Sequence, residues 1–308
     1  CITYFIYVYP FEILNKLFFN EDSNRRVSFY CTIIISVLII FYFRSFESLK
    51  LLRYFIYEGM GIGFISFWVL TSFYFLSLFI PDYSYFFGLI SLFIILFLTT
   101  ISFYFGKKIF SKEISIYSNK IKKKKSFIFI SDIHLGSNSK KHLTKLISKI
   151  DKLKFDFILL GGDLIDSSDV NLNSLNEFKK FSCPILYVTG NHEHYLKESK
   201  KIIKNLNKFN IQHISNHSTF IENINIIGVD DNMTKERQIE IVNKNLNKFN
   251  FNLLLIHKPS IWLNIREEID LMLSGHTHNG QIFPFNLFVR IQFKFKYNLY
   301  KYNNSNLY

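Results

Sequence analysis

The sequence predicts an α/β protein in two parts, with membrane-spanning helices first and a domain of β-sheets covered by helices after them. Three observations support this prediction. Two neighbouring runs, Met60–Ile80 and Ser84–Phe105, contain no charged residue, whereas Lys and Asn dominate the later chain. From Ser126 onward, short apolar runs alternate with lysine-rich stretches of helical character. Such alternation is typical of sheets that are covered by helices.

The first part, residues 1–105, is predicted to contain the membrane spans. A helix needs about 20 apolar residues to cross a bilayer, so spans are expected near residues 28–43, 60–80 and 84–105. The first of these is shorter than the others, and residues 1–9 are a candidate for part of a fourth span. A buried helical hairpin of a large soluble protein is the alternative. It is disfavoured because charge is absent from both long runs.

Residues 106–125 are predicted to form a basic linker. This segment has one acidic residue, Glu113, against Lys107, Lys108, Lys112, Lys120 and Lys122–Lys125. Because the cytoplasmic flanks of spans collect Lys and Arg, the second part is expected in the cytoplasm, attached to the cell inner membrane by a multi-pass region. Anionic lipid would also attract the lysines, and a simple solvated linker is compatible with both. Pro10–Val27 also contains three basic residues, so the distribution of basic residues does not support one orientation at every loop.

The net charge and the cysteines limit the remaining function classes. A formal charge of +13 is compatible with binding to nucleic acid or to an anionic membrane. The apolar runs before the basic segment favour the membrane and make nucleic acid the weaker interpretation. The cysteines, Cys1, Cys31 and Cys183, are too far apart in sequence for a disulfide framework or a CxxC site.

The second part, residues 126–308, is predicted to contain at least six strands. The apolar runs expected to form them are Phe127–Ser131, Phe155–Leu160, Cys183–Thr189, Ile224–Val229, Phe251–Ile256 and Ile269–Leu273. Helices such as Lys140–Leu153 and Lys197–Phe209 are expected between them.

Side chains that can bind metal ions follow five of these strands. In chain order they are Asp132 and His134, then Asp163 and Asp166, then Asn191 and His192, then His257, and finally His276 and His278. Ligands of α/β sheets bind beyond the carboxyl ends of the strands, so these side chains are expected to meet at one edge. Each residue alone could be a turn, a cap or a core histidine. Their joint occurrence at five strand ends makes coincidence a poor explanation.

These residue types favour a pair of divalent metal ions. Imidazole and carboxylate together suit Mn, Fe or Zn, and two such ions can hold the attacking and leaving oxygens of a phosphoryl displacement. One carboxylate must lie between the ions to neutralise both charges. Gly161 and Gly162 permit tight backbone geometry beside Asp163. The single residue between His276 and His278 lets the two rings point differently, so that each ring can serve one ion.

The sequence resembles a known family, the calcineurin-like metallophosphoesterases. The signature of that family is D-x-H, GD-x-x-D, GNH-E, a lone His and GH-x-H. This chain has SDIHLG, GGDLID, GNHEHY, LLIHKP and SGHTHNGQ in the same order. The resemblance covers Ser126 to about Pro284. It implies a sandwich of two mixed β-sheets flanked by helices, and metal-dependent hydrolysis of a phosphoester, phosphodiester or pyrophosphate bond.

The resemblance also implies roles for individual residues. One metal ion would be held by Asp132, His134, Asp163 and His278, and the other by the shared Asp163 with Asn191, His257 and His276. His192 would lie beside the leaving group, oriented by Asp166. The SGHTHNGQ ending, the Gly228–Asp231 step and the apolar spans resemble the membrane-attached bacterial branch. Some relatives in that branch cleave the pyrophosphate of UDP-diacylglucosamine, so a lipid or nucleotide-lipid substrate is expected alongside phosphorylated small molecules.

Two features depart from the family pattern. Protein phosphatases usually have Arg soon after the second Asp, whereas Ser167 and Ser168 follow Asp166 here, which disfavours a phosphoprotein substrate. Relatives also continue past GH-x-H through further strands and a glycine-rich closing segment. Because this chain stops at Tyr308, we expect a truncated carboxyl end and one sheet without an edge strand.

The favoured function is a membrane-anchored two-metal phosphoesterase. The first alternative is a membrane sensor or scaffold whose second part binds metal with weak or no turnover. The second alternative is a nuclease, suggested by the positive charge. The segment Phe285–Tyr297 has two interpretations: a β-ribbon of the core, supported by alternation from Ile291 onward, or a surface that enters the headgroup layer to collect a lipid.

Overall fold

A computed structural model describes residues 2–45, 50–106, 108–168, 170–278, 295 and 298–308. The chain divides into two compact units, Cys1–Phe110 and Ser111–Tyr308. The predicted ribbon or membrane surface at Phe285–Tyr297 lies outside the described residues, apart from Phe295. Both interpretations of that segment therefore stay predictions.

Most described residues of the first unit belong to helices. Its helices are α1 (Ile2–Tyr7), α2 (Tyr9–Phe19), α3 (Arg25–Ser45), α4 (Lys50–Ser77) and α5 (Ser84–Gly106), with a 3-10 turn at Pro81–Tyr83 between the last two. Three of these are long and apolar enough to cross a membrane, over Arg25–Tyr42, Tyr54–Ser77 and Pro81–Gly106. The segment expected to be part of a fourth span forms α1 and the start of α2.

The short helix α2 packs against the long helices through its apolar face. Ile13 and Leu17 of α2 form one buried cluster with Leu70 of α4. The polar residues of α2 lie on another side, where Lys16 is 2.9 Å from Asp22 and 3.2 Å from the Tyr74 hydroxyl. α2 can therefore pack in the bundle although it contains Glu12 and Lys16, because its apolar side chains are buried and its charged side chains keep polar partners.

The second unit contains a four-stranded sheet and a six-stranded sheet. The first sheet has the order β1 (Phe127–Ile130), β2 (Phe157–Gly161), β3 (Ile185–Val188) and β4 (Ile211–His213), and all its described pairings are parallel. The second has the order β5 (Ser218–Ile221), β6 (Ile224–Val229), β7 (Phe251–Ile256), β8 (Leu271–Leu273), β10 (Ser305–Leu307) and β9 (Tyr300–Tyr302). The mixed character lies in this second sheet, where β5–β6 and β9–β10 are antiparallel.

The remaining helices are α6 (Lys140–Ile150), α7 (Asn191–Tyr195), α8 (Ser199–Asn205), α9 (Lys235–Asn245) and α10 (Trp262–Ile265), with 3-10 segments at Leu172–Lys180, Leu206–Phe209 and Pro259–Ile261. Four of them, α6, α8, α9 and α10, contribute to the buried clusters on the outer faces of the sheets, and α7 begins just after β3. α6 begins where the Ser139 side chain accepts a bond from the His142 N–H, and it buries Leu143, Ile147 and Ile150 at helical spacing.

Three buried clusters establish the layer order. One joins sheet residues such as Ile158 to Leu143 of α6. The second lies between the sheets and includes Leu159 of β2 and Leu253 of β7. The third joins the six-stranded sheet to α9 and α10, where Trp262 is buried. Helices, sheet, sheet and helices therefore follow one another, which confirms the fold class predicted from the sequence.

The sequence analysis located β1, β2, β3, β6, β7 and β8, which are apolar, but not four more polar strands. β4, β5, β9 and β10 have three or four residues each and contain Gln, Ser, Thr, Lys or Asn. So short a polar run gives no clear alternation of apolar residues. After β8 the chain adds β10, which is parallel to β8, and β9 beside it. The expectation that one sheet lacks an edge strand stays a prediction.

The carboxyl-terminal half of the predicted basic linker is part of the second unit and packs against its sheets. Lys120 Nζ is 2.9 Å from Asp270 Oδ2, and Lys125 Nζ is 2.6 Å from Glu222 Oε1. Between the lysines, Ile121 packs against the cluster that lies between the sheets. The segment thus has structural partners as well as solvent-exposed lysines.

Candidate metal centre

All the side chains singled out in the sequence analysis lie beyond the carboxyl ends of strands. Asp132 and His134 follow β1, Asp163 and Asp166 follow β2, Asn191 and His192 begin α7 after β3, His257 follows β7, and His276 and His278 follow β8. β1–β3 belong to one sheet, and β7 and β8 belong to the other. The site is therefore assembled from both sheets.

One group consists of Asp132, His134 and His278, whose candidate ligand atoms lie within 4.8 Å of one another. The Nε2 atom of His278 is 3.1 Å from Asp132 Oδ1 and 3.4 Å from His134 Nε2. The carboxylate of Asp163 is also close, with Oδ2 3.8 Å from His134 Nε2. The structure thus brings together the four residues that the family resemblance assigns to one ion.

A second group consists of Asp163, His257 and His276, again with ligand atoms within 4.8 Å of one another. The Nε2 atom of His257 is 3.1 Å from Asp163 Oδ2. The other ring nitrogen of His257 lies 2.8 Å from the Gly161 carbonyl oxygen. Because a carbonyl only accepts, this Nδ1 must carry the proton and donate. Nε2 is thus the ring nitrogen that can bind a metal ion when the ring is neutral.

Five of the seven candidate ligands have left-handed backbone conformations, which ordinary residues rarely adopt. Their φ angles are 57° for Asp132, 49° for His134, 51° for Asp163, 69° for His276 and 46° for His278. Each such residue costs on the order of 1 kcal/mol or more, and such residues cluster at functional sites. The backbone therefore turns sharply after β1, β2 and β8, where these five ligands lie.

Glycines allow the strand ends to approach one another. Gly162 has φ +91°, and a Cβ there would lie 2.6 Å from His257 Nδ1. A Cβ on Gly190 would collide with the carboxylate of Asp163, and one on Gly275 would collide with Asp132 and Ser131. These contacts explain the glycines beside the ligands, since any side chain would displace a ligand.

Sequence reasoning missed Glu193, which joins two of the ligand loops. Its Oε2 atom accepts from the N–H groups of Asp163 (3.1 Å) and Gly190 (2.8 Å), and its Oε1 atom accepts from Ile165 N–H (2.9 Å). The residue is 1% exposed, and burial raises the pKa of its carboxyl. The acid in GNHE was visible in the sequence, but its backbone partners depend on the fold.

We expect Glu193→Gln to destabilise the protein by about 1–3 kcal/mol, because an amide nitrogen would face a backbone N–H that now donates to an oxygen. Thermal unfolding of the purified full chain in detergent would measure the effect as a lower Tm. Glu198→Gln is the matched control, because the Glu198 side chain is 66% exposed. Equal Tm values for the two variants would contradict this assignment.

Asp230 and Asp231, directly after β6, were noted in the sequence only as part of a family resemblance. His194 Nε2 on α7 is 2.9 Å from Asp230 Oδ1, and Lys258 Nζ is 2.6 Å from Asp231 Oδ2. Each pair therefore anchors a residue that is close in sequence to a candidate ligand, His194 to Asn191 and Lys258 to His257. The signal that could have found them is the one used for the ligands, namely acidic residues at a strand end.

Two properties of these residues suit divalent metal ions: the types of donor atom they offer and the burial of those atoms. The Oδ1 atom of Asn191 is buried and has no hydrogen-bond partner among the described residues, and the buried Nε2 atom of His257 faces the carboxylate of Asp163, another candidate ligand. Buried polar atoms almost always have a partner. These are the atoms that would bind a metal ion, and N and O donors suit Mn, Fe or Zn.

The carboxylates and imidazoles of the centre shift one another's pKa values. Burial lowers the pKa of His257, but the bond and charge of Asp163 outweigh it and raise the value to about 9. Burial, with the nearby charges of His257 and Lys258, lowers the pKa of His276 to about 4. One imidazole thus gains a proton between the carboxylates and another stays neutral. A metal ion would replace that proton.

His192 is also part of the cluster. Its Nε2 atom is 3.9 Å from Asp163 Oδ2, and the two residues form a third possible ligand group with His134. Its backbone N–H donates to Asp163 Oδ1 at 2.9 Å. Distance alone therefore does not separate a ligand role from the predicted role beside a leaving group.

Asp166 was expected to orient His192, and its carboxylate contacts other groups. Oδ2 of Asp166 is 3.4 Å from Nδ1 of His134, and Oδ1 accepts from the Ser137 N–H at 2.8 Å. Both oxygens thus engage the loop that follows β1. Asp166 contacts this loop because the loop runs beside the segment after β2, to which a β-bridge between Leu135 and Ile165 joins it.

Comparisons with known proteins agree with this geometry. Residues 125–280 match the calcineurin-like phosphoesterases. The chain is 34% identical over 204 residues to an uncharacterized metallophosphoesterase of Helicobacter pylori, covering 62% of this chain and 55% of that protein. It is 32% identical over 201 residues to an uncharacterized metallophosphoesterase of Campylobacter jejuni, covering 61% and 53%. A Danio rerio transmembrane protein with metallophosphoesterase domain is 29% identical over 197 residues, covering 56% and 45%.

The chain spans about half the length of the curated relatives it matches. The matched region contains β1 to β8 and every candidate ligand, and its strand ends meet in one histidine- and aspartate-rich centre. On these grounds the chain belongs to the calcineurin-like phosphoesterase family.

Proposed function

We propose that this protein is a membrane-anchored hydrolase that uses two divalent metal ions to cleave a phosphoester, phosphodiester or pyrophosphate bond. The supporting observation is the convergence of His and Asp side chains from five strand ends, together with the buried Oδ1 atom of Asn191, which has no hydrogen-bond partner among the described residues. Residues 126–308 would carry the reaction. Residues 1–105 would anchor the chain, in agreement with three helices long and apolar enough to cross a membrane.

The metal ions, when bound, would activate water and neutralise charge that develops on the phosphoryl oxygens. Asp163 would be shared between the ions because its Oδ2 atom faces ligands of both groups. The N–H groups of His192 and His276 would hold the carboxylates of Asp163 and Asp132, respectively, in place. These backbone bonds fix the ligands before metal or substrate binds.

His192 would donate a hydrogen bond or a proton to the departing oxygen. Burial lowers the pKa of His192, so a proton would come from the less populated protonated ring, whereas the neutral ring would donate only a hydrogen bond. A neutral imidazole still has one N–H to donate. Its side chain is 40% exposed, whereas that of Asp163 is 2% exposed, and exposure of this kind suits a group that must reach substrate.

A phosphorylated lipid or nucleotide-lipid is the substrate class we favour, because a membrane anchor keeps a catalytic domain near lipid headgroups. Hydrolysis by the purified full chain with Mn²⁺ should be compared on bis-p-nitrophenyl phosphate, a nucleotide-lipid pyrophosphate and single-stranded DNA. EDTA should stop every reaction. Cleavage of DNA alone would favour the nuclease, and bound metal without hydrolysis of any substrate would favour a sensor or scaffold.

We also expect the second unit to be cytoplasmic, because basic residues follow the last span. A reporter fused after Lys125 should therefore read as cytoplasmic. A fusion after Asp82, in the turn between α4 and α5, is the matched control and should report the opposite side. Alkaline phosphatase activity outside the membrane from the Lys125 fusion would overturn this topology.

A further inference from the structure

Asp166 follows β2, and several independent contacts hold it against the loop between β1 and α6. Its Oδ1 atom accepts from the Ser137 N–H at 2.8 Å, and its own N–H donates to the Leu135 carbonyl at 3.3 Å. Its Oδ2 atom lies 3.4 Å from His134 Nδ1. A carboxylate with both oxygens engaged by one loop is fixed in position relative to that loop.

The backbone of the loop is shaped to receive this carboxylate. Gly136 has φ +134°, and a Cβ at that position would collide with Asp166 Oδ1. On either side of the glycine, His134 N–H donates to the Asp163 carbonyl at 2.9 Å and Asn138 N–H donates to the His134 carbonyl at 2.7 Å. The loop thus closes around Asp166 and depends on a glycine to do so.

The two nitrogens of His134 face different groups. Nδ1 faces the Asp166 carboxylate, and Nε2 faces Asp132 Oδ1 at 3.8 Å, Asp163 Oδ2 at 3.8 Å and His278 Nε2 at 3.4 Å. A neutral imidazole carries one proton. If Nδ1 donates that proton to Asp166, Nε2 keeps its lone pair and can bind a metal ion.

We propose that Asp166 is a positioning residue for His134: it selects the tautomer with the proton on Nδ1 and so prepares Nε2 as a metal ligand. This role rests on the proposed two-metal function. It differs from the role inferred from family resemblance, in which Asp166 orients His192. The two roles make opposite predictions for metal binding and for dependence on the leaving group.

Asp166→Asn tests the proposal with little change in shape. The amide can still accept from Ser137 through its oxygen, but its NH₂ would then face His134 Nδ1. That ring nitrogen would become the acceptor, and the proton would move to Nε2 and block the ligand atom. We expect metal affinity at one site to fall about 10–100-fold, the usual effect of losing such a partner.

The measurements are metal stoichiometry after dialysis and Mn²⁺ affinity by calorimetry, on the purified full chain. Gly136→Ala is a second variant, which should displace the Asp166 carboxylate and weaken the same site without altering any charged group. Asp151→Asn, an exposed carboxylate at the end of α6, is the control and should bind metal as the wild type does. Thermal unfolding of the metal-free variants checks that each is folded.

Hydrolysis of an alkyl and a nitrophenyl phosphodiester completes the test. Loss of metal should reduce both rates of Asp166→Asn by a similar factor, and excess Mn²⁺ should restore both. Wild-type metal affinity in Asp166→Asn, with a selective loss on the alkyl ester, would overturn the proposal in favour of His192. Absence of bound metal in the wild type would instead refute the two-metal function, and this inference with it.

Discussion

Asp163→Ala is expected to abolish hydrolysis of every substrate and to empty at least one metal site. Asp163 is 1% exposed, and its Oδ2 atom is 3.1 Å from His257 Nε2 and 3.8 Å from His134 Nε2, so it faces both proposed ligand groups. Without it, two cations would have no shared anion between them. We expect activity to fall by at least about 10³-fold, more than the loss of one typical transition-state hydrogen bond.

Metal analysis of the purified full chain and hydrolysis of bis-p-nitrophenyl phosphate would measure both effects. Asp163→Asn is a useful companion because it keeps the shape and removes the charge. Asp151→Ala is the control, since Asp151 is exposed at the end of α6. Two bound ions and near-wild-type activity in Asp163→Ala would show that this carboxylate is not shared between metals.

His192→Ala is expected to keep its metal ions and to lose activity selectively. A general acid typically contributes about 10²–10⁴-fold, and this help matters most when the departing oxygen is a poor leaving group. An alkoxide needs a proton as it leaves, whereas a nitrophenolate is stable without one. The rate on an alkyl phosphodiester should therefore fall by about 10²-fold or more, and the rate on a nitrophenyl ester should fall much less.

The experiment matters because His192 Nε2 lies only 3.9 Å from Asp163 Oδ2 and within the range of a ligand. Metal content and both ester rates should be measured for His192→Ala, with His194→Ala as the control on the same helix. His194 contacts Asp230 rather than the carboxylates of the centre. Metal loss in His192→Ala, or an equal loss on both esters, would mean that His192 is a ligand or a positioning group.

The sequence by itself determined the fold class and the composition of the centre. Long charge-free runs have no stable place in water, which predicted the apolar helices. In parallel sheets, the carboxyl ends of neighbouring strands meet at one edge, so ligand-type residues after β1, β2 and β3 had to lie close together. Local sequence patterns were sufficient for this prediction because parallel strands place the residues that follow them at the same edge of the sheet.

Other features depended on the tertiary structure. The polar strands β4, β5, β9 and β10 gave no apolar period, and they form because neighbouring strands offer backbone groups for pairing. The pairing of Lys120 with Asp270 joins residues far apart in sequence. A segment that reads as a solvated linker from its charge thus gains a partner only when the sheet has formed.

The tertiary structure also decided the partner of each side chain in the centre. The sequence showed that Asp166 and Glu193 were present, but it did not show that one faces His134 and the other collects three backbone N–H groups. The direction of a side chain at a strand end depends on the next backbone angles, and several of these are left-handed, as at Asp132 and His134. Residue type and apolar periodicity do not encode such angles, because non-glycine residues adopt them only when surrounding contacts offset their strain.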